Sequence, residues 1–295
     1  SAIATIPLQN ITMRASLSGA GTDIFSPQTY YQLFATIDTL QSNNYIASDI
    51  NISAFQANSL SLVSAISSDP RNDFELIATS RINSADISNN TDIKIKNIDL
   101  YKIGISDKEV GGSININLKA DTDLNETHSL TIHGSDIVIN TPERKFTPAN
   151  IDIYLATAPD SSRITANNGD LNIHGTLSSG YEHLYAQINK LQEMFNRARY
   201  SESSIYYAHD YEQLIPATSI DIQCGKQNML HNFLAINGIN FNDINFKCSI
   251  DTVKGIRARG FVYDLETAEA KLDTIRFSTI QDGKNIKYFA GVRSS

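Results

Sequence analysis

The chain has 295 residues, of which 41% are apolar and 19% charged, so it is long enough to bury a core and too apolar for a disordered polymer. Its formal net charge of -8 is spread along the length, which argues against a nucleic-acid face and against adhesion to an anionic bilayer through a basic surface. The longest apolar runs are four residues, as in Phe233-Leu234-Ala235-Ile236, far below the ~20 that a membrane span requires.

The opening Ser1-Ala2-Ile3 has neither an initiator Met nor a leader, and the chain reads as an internal piece of something longer. Residues 1–80 are expected to hold strands and a first amphipathic helix. Ser26-Pro27 supplies a cap with Pro at the first turn, and Tyr30, Leu33, Phe34, Ile37 and Leu40 follow at helical spacing. Residues 81–178 carry the dominant signal, an alternation of period two. Ile93 and Ile95 alternate with Lys94 and Lys96, and Ile114, Ile116 and Leu118 alternate with Asn and Lys. The same phrasing recurs in 129–133, 136–140, 151–155 and 170–177, each with one apolar and one wet face. Turn-like connections separate the phrases, among them Asp69-Pro70-Arg71, Ala158-Pro159-Asp160, Asn167-Asn168-Gly169 and Gln281-Asp282-Gly283.

Residues 179–236 read as a helical insertion. Tyr181, Leu184, Tyr185, Ile188, Leu191 and Phe195 form one stripe, and a short third helix covers Met229, Leu230, Phe233 and Leu234 before Gly238. Residues 237–295 return to hairpins that continue the sheet. The fold class is mainly β, an antiparallel sheet with two or three amphipathic helices packed on it.

No catalytic constellation emerges. The six histidines form no metal-ligand spacing, and His133 and His174 fall on wet strand positions. Asp121-Thr122-Asp123-Leu124-Asn125 opens like a calcium loop, but its sixth position is Glu126 instead of Gly and its twelfth is Ile132 instead of Glu. There is no nucleophile elbow and no complete phosphate loop. The expectation is a protein that is not an enzyme and carries no cofactor or metal. Cys224 and Cys248 each sit in a strand-like run and suit either a disulfide or two small core residues. The basic stretches Lys254-Gly255-Ile256-Arg257-Ala258-Arg259 and Arg197-Ala198-Arg199 read as solvated positions.

The C-terminal third carries phrases that resemble a known family. Asn237-Gly-Ile-Asn-Phe241, Val253-Lys-Gly-Ile-Arg-Ala-Arg-Gly260, Phe261-Val-Tyr-Asp-Leu265 and Leu272-Asp-Thr-Ile-Arg-Phe277 resemble TamB/AsmA-like envelope proteins of the Bacteroidetes type. Asn168-Gly-Asp-Leu-Asn-Ile-His-Gly175 is similar too, and the likeness extends over about residues 80–295. The resemblance rests on strand phrasing. It implies a long periplasmic protein anchored in the inner membrane, with an elongated, curled β-sheet body, a taco-shaped groove with an apolar inside. It further implies movement of phospholipid between inner and outer membranes and support of outer-membrane assembly with a β-barrel partner. This chain would be a middle segment, without the anchor or the partner-binding portion.

A sheet with a continuous apolar face must cover that face, and acyl chains suit it because burial contributes ~0.8 kcal/mol per methylene. The candidate lipid-facing residues are Ile93, Ile95, Ile114, Ile116, Leu118, Ile151, Ile153, Leu171 and Ile173. Each could equally serve in the core of an ordinary β-sandwich. The alternative reading is a secreted or cell-surface β-sandwich or β-helix that binds glycan or protein, with Tyr206, Tyr207 and Tyr211 available to stack on sugars. A polysaccharide-cleaving β-helix ranks third, since no acid–base pair can be named.

Overall fold

A computed structural model describes residues 10–42, 45–183, 185–186, 189–190, 192–193, 216–251, 254–283 and 285–294. The chain is mainly β, with strands paired antiparallel, and it divides into two compact units.

One unit comprises Ser1–Leu124 and Thr131–Asn150. It holds β1 (Asn10–Ala20), β2 (Tyr30–Ser42), β3 (Tyr45–Ala57), β4 (Leu60–Asp69), β5 (Asn72–Ile82), β6 (Ile87–Asp99), β7 (Gly111–Thr122), most of β8 (His128–Asn140) and β9 (Lys145–Phe146). Strands β1 to β7 pair in chain order. β8 lies beside β7, where Asn115 Nδ2 donates to Asp136 Oδ2 at 2.7 Å.

The other unit comprises Asn125–Leu130 and Ile151–Ser295. Its strands β10 (Ile151–Ala158), β11 (Ser161–Asn168), β12 (Leu171–Leu177), β13 (Thr218–Cys224), β14 (Asp243–Asp251), β15 (Gly255–Glu266), β16 (Lys271–Asp282) and β17 (Asn285–Arg293) also pair in chain order.

Tight turns set these meanders. Asn58 and Ser59 both have positive φ (52° and 63°), the geometry of a two-residue hairpin whose twist matches its strands. Asn168 faces Leu171 around Gly169, at φ 60°. With the turns fixed, the register is fixed, and a slip of one residue would turn every apolar side chain to the wrong face.

One expectation is corrected. The first helix is strand β2. Ser26 and Thr29 close a turn around Pro27, with Thr29 N donating to Ser26 O at 3.1 Å. The Tyr-, Phe-, Ile- and Thr-rich run that follows suits a pleated surface, and its stripe contains residues of both strand faces. Helix is accordingly limited, among the described residues, to residues within 181–193 and to Met229–Ile236, and β13 falls inside the expected helical insertion.

The expected packing of helices on the sheet is described only in part: six of the eight residues of Met229–Ile236 are half-buried. Every described residue between 181 and 193 whose side chain is placed is exposed, and Met229–Ile236 contains no buried residue. Leu184, Ile188, Leu191 and Phe195 lie outside the described side chains.

Of the two readings left open for the cysteines, the structure has no bridge: Cys224 and Cys248 are free. Cys224 faces Ile244 and Cys248 faces Ile220, so the cysteines stand four residues apart along adjacent strands. That offset is about 13 Å, beyond the reach of a disulfide.

Candidate functional site

Residues directly opposite across antiparallel strands share a face, so the register lists which side chains meet. In the first unit three rows follow. One runs Met13, Ile37, Ile50, Ser67, Phe74, Ile95, Ile114. The next runs Ala15, Ala35, Ile52, Ala65, Leu76, Ile93, Ile116. The third runs Leu17, Leu33, Ala54, Val63, Ala78, Thr91, Leu118. This is a continuous apolar band perpendicular to seven strands, about 29 Å long at ~4.8 Å per interstrand step.

Polar pins flank the two edges of the band on the same face, at β3 and β4. At one edge Gln56, at 0% exposure, donates from Nε2 to Ile24 O at 2.7 Å and faces the buried Ser61. At the other edge Asp69 accepts a fork from Arg71, Nε to Oδ1 at 2.9 Å and Nη2 to Oδ2 at 2.5 Å. Ser48 Oγ donates to the same carboxylate, and Arg71 Nη2 also reaches Ser48 Oγ at 3.0 Å. The Arg71 guanidinium holds the Asp69 carboxyl well below the usual carboxylate range. The segment after β6 adds a further closure there, with Ile103 buried and Ile46 N donating to Ile103 O at 3.2 Å.

The second unit repeats the arrangement. One row runs Ile153, Ala166, Ile173, Ile222, Phe246, Gly260, Phe277, Ala290, and the next runs Leu155, Ile164, Gly175, Ile220, Cys248, Ala258, Thr279, Tyr288. A flanking row carries Cys224, Ile244, Val262, Ile275 and Val292. Gly260 is demanded by close approach: a Cβ there would lie 2.4 Å from the ring of Phe277, which lies over it toward Phe246 with ring centroids 5.8 Å apart.

One edge of this band, near Cys224, is flanked by the helix Met229–Ile236. Asn228, fully buried, caps it by accepting from His231 N at 2.8 Å, and donates to Asp170 Oδ1 at 2.6 Å and Gly225 O at 2.9 Å. Met229 N donates to Asn168 Oδ1 at 2.5 Å, which ties the helix start to the β11–β12 hairpin. His231 stands edge-on to the buried Phe241, with centroids at 4.9 Å. Burial pushes the thiols of Cys224 and Cys248 up from their ordinary range, which makes both poor nucleophiles.

The structure places Ile93, Ile95, Ile114, Ile116 and Leu118 together on the first band, and Ile151, Ile153, Leu171 and Ile173 on the apolar face of the second unit. All nine are half-buried. Only Ile37, Ala47, Ala54, Ile103, Ile137, Cys224 and Phe241 are buried apolar residues among those described, a small core for so many strands. The bands also run out to exposed strands, where Leu17 is 73% and Tyr288 84% accessible.

Sequence reasoning missed Leu33, Ala35 and Ile37, hidden under the helical reading. It also missed Ile52, Ala54, Val63 and Ala65, whose small side chains and apolar neighbours blur the alternation. Tyr206, Tyr207 and Tyr211 lie outside the described residues.

The opposite face of the first unit is polar over β6 and β7, whereas over β2 to β5 it also carries the exposed Phe34, Phe55, Leu62, Ile66 and Ile77. Asn117 Nδ2 bridges Asn90 Oδ1 at 3.2 Å and Asp92 Oδ1 at 2.7 Å on that face. A shallow cleft of about 350 Å³ opens there between Glu75, Asp92, Lys94, Asn115 and Asn117. Among the described residues no group of His, Cys, Asp and Glu is arranged to hold a metal ion, and no helix is long and apolar enough to cross a membrane. No protein-family model, curated protein or solved structure matches the chain.

Proposed function

We propose that the apolar bands line a groove that holds phospholipid acyl chains, and that the chain is a non-enzymatic, periplasmic segment of a TamB/AsmA-like protein. In that role the sheet curls around the apolar side and conducts lipid between inner and outer membranes. An outer-membrane β-barrel partner would engage other parts of the full protein.

The observation that carries the reading is the continuity of part-buried, mostly aliphatic side chains across β2 to β7, flanked at β3 and β4 by buried polar pins. An ordinary β-sandwich of this strand count buries most of its inward side chains completely, because interiors pack densely. Here Ile93, Ile95, Ile114 and Ile116 stay partly accessible, as residues that await a chain-like apolar occupant do. The band length of about 29 Å is close to the ~30 Å of a bilayer hydrocarbon core, so each acyl chain of a lipid finds ample length in it.

The test is mass spectrometry of organic extracts from purified protein, beside a variant carrying Ile116→Asp and Ile153→Asp. Phospholipid near one molecule per chain, depleted in a variant with an unchanged circular dichroism spectrum, is the expected result. Lipid-free protein, purified without detergent from cells, would turn the reading toward a closed binding module.

A further inference from the structure

The polar face of the second unit gathers charge that the linear sequence disperses. Asp221, Lys247, Arg259 and Ser278 are consecutive cross-strand partners on β13, β14, β15 and β16. Arg257 stands two residues from Arg259 on the same side of β15, opposite Ser249. Lys247 and Arg259 therefore face each other directly, a like-charge pair that costs a sheet roughly 0.2–1 kcal/mol.

One carboxylate is ion-paired within this cluster. Asp221 Oδ2 accepts from Lys247 Nζ at 2.6 Å, and Asp221 Oδ1 is buried without a partner. Arg257 and Arg259 are exposed and make no ion pair or hydrogen bond among the described residues. Asp243 and Asp251, on the same face, each sit four residues from Lys247, about 13 Å along the strand, and Asp251, on the Arg257 side, accepts from Lys254 N at 2.8 Å. Asp282 is engaged by Lys287 at 2.5 Å. Lys247, Arg257 and Arg259 line a cleft of about 540 Å³ with Ser249 and Ser278, and Asp221 is the one carboxylate in that lining. The rest of the chain is acidic, so the excess is local.

We propose that Lys247, Arg257 and Arg259 form a binding site for a phosphate-type oxyanion on this face. Two guanidinium forks match the planar pairs of oxygens on a phosphate, the Lys247 ammonium adds a point charge, and the Ser249 and Ser278 hydroxyls can donate to the remaining oxygens. A bound dianion turns the Lys247–Arg259 repulsion into attraction at both sides. The site lies on the face opposite the apolar band and does not depend on what that band holds.

The experiment is calorimetric titration with pyrophosphate at ionic strength held constant with chloride, on the wild-type chain, on Arg257→Gln/Arg259→Gln, and on Lys287→Gln as a same-face control. The wild type and the control should bind, and the double variant should bind roughly tenfold or more weakly, as expected for lost charge-assisted hydrogen bonds. In phosphate-free buffer the double variant should melt at the wild-type temperature or above, because it loses a repulsion. Flotation with phosphatidylcholine vesicles, with and without phosphatidic acid, separates the sources. Flotation only with the acidic vesicles, lost in the double variant, assigns the anion to a lipid headgroup. Pyrophosphate binding without flotation assigns it to a soluble phosphate ester. Equal titrations for wild type and double variant, absence of binding to the wild type, or a lower melting temperature of the double variant in phosphate-free buffer would each overturn the proposal.

Discussion

Replacing Ile116 by Ala should destabilise the lipid-free protein much less than replacing Ile103 by Ala, although the two changes remove the same atoms. Each deletes three carbon groups, about 2.4 kcal/mol if all were fully withdrawn from water at ~0.8 kcal/mol apiece. Ile103 is 1% exposed and enclosed, so a cavity term adds to the transfer term and the cost becomes about 3–4 kcal/mol. Ile116 is half-buried on a band open to an occupant, so part of the transfer is never realised and no closed cavity forms. The expected cost is about 1–1.5 kcal/mol. Both residues belong to the first unit, so urea denaturation of delipidated protein, followed by circular dichroism, reads them on one transition. Ile93→Ala, directly opposite Ile116, should match Ile116→Ala. Equal, large losses at positions 103, 93 and 116 would mean that the band is a closed core, and the reasoning would fail.

Three further outcomes follow from the pins. Asp69 is held below its ordinary range by Arg71, so its ion pair stabilises the fold above the unfolded carboxyl value near 3.9, and that contribution fades as pH falls below it; acid unfolding of Asp69→Asn should accordingly be flatter below pH ~4 than that of the wild type. Asn228→Ala should cost roughly 1–3 kcal/mol, since it removes a cap and leaves Asp170 with a vacated partner; hydrogen exchange should then accelerate first in Met229–Ile236. Mild oxidation should form no intramolecular Cys224–Cys248 bridge, and thiol labelling should modify Cys248 before the deeply buried Cys224; a bridged species on a non-reducing gel would contradict the register.

What the residues alone revealed depended on how cleanly each strand divides its faces. β6 and β7 were legible because Ile93, Ile95, Ile114 and Ile116 alternate with charged or amide residues. β2 was not, because Tyr30, Phe34 and Leu40 lie on the face opposite Leu33 and Ile37, and the mixture mimics a helical stripe. The phrases 129–133 and 136–140 looked like separate strands since their apolar phase shifts by one residue. A positive φ at Asp136 makes that shift inside the single strand β8. In β4, Leu62 and Ile66 sit on the polar side while Ala65 and Ser67 occupy the band, so hydrophobicity points the wrong way locally. The anion site was illegible for a different reason. Lys247 and Arg259 become neighbours only through the β14–β15 register, which no local spacing reports.

The most direct test of the central claim is photo-crosslinking from single positions on the two faces of β7. A photoreactive amino acid at position 116 points along the apolar band, and one at position 117 points to the amide-rich side. Expressed in cells and purified, the chain should crosslink phospholipid from position 116 and not from position 117. Equal labelling from both positions, or none from position 116 in well-folded protein, would contradict a lipid-holding band.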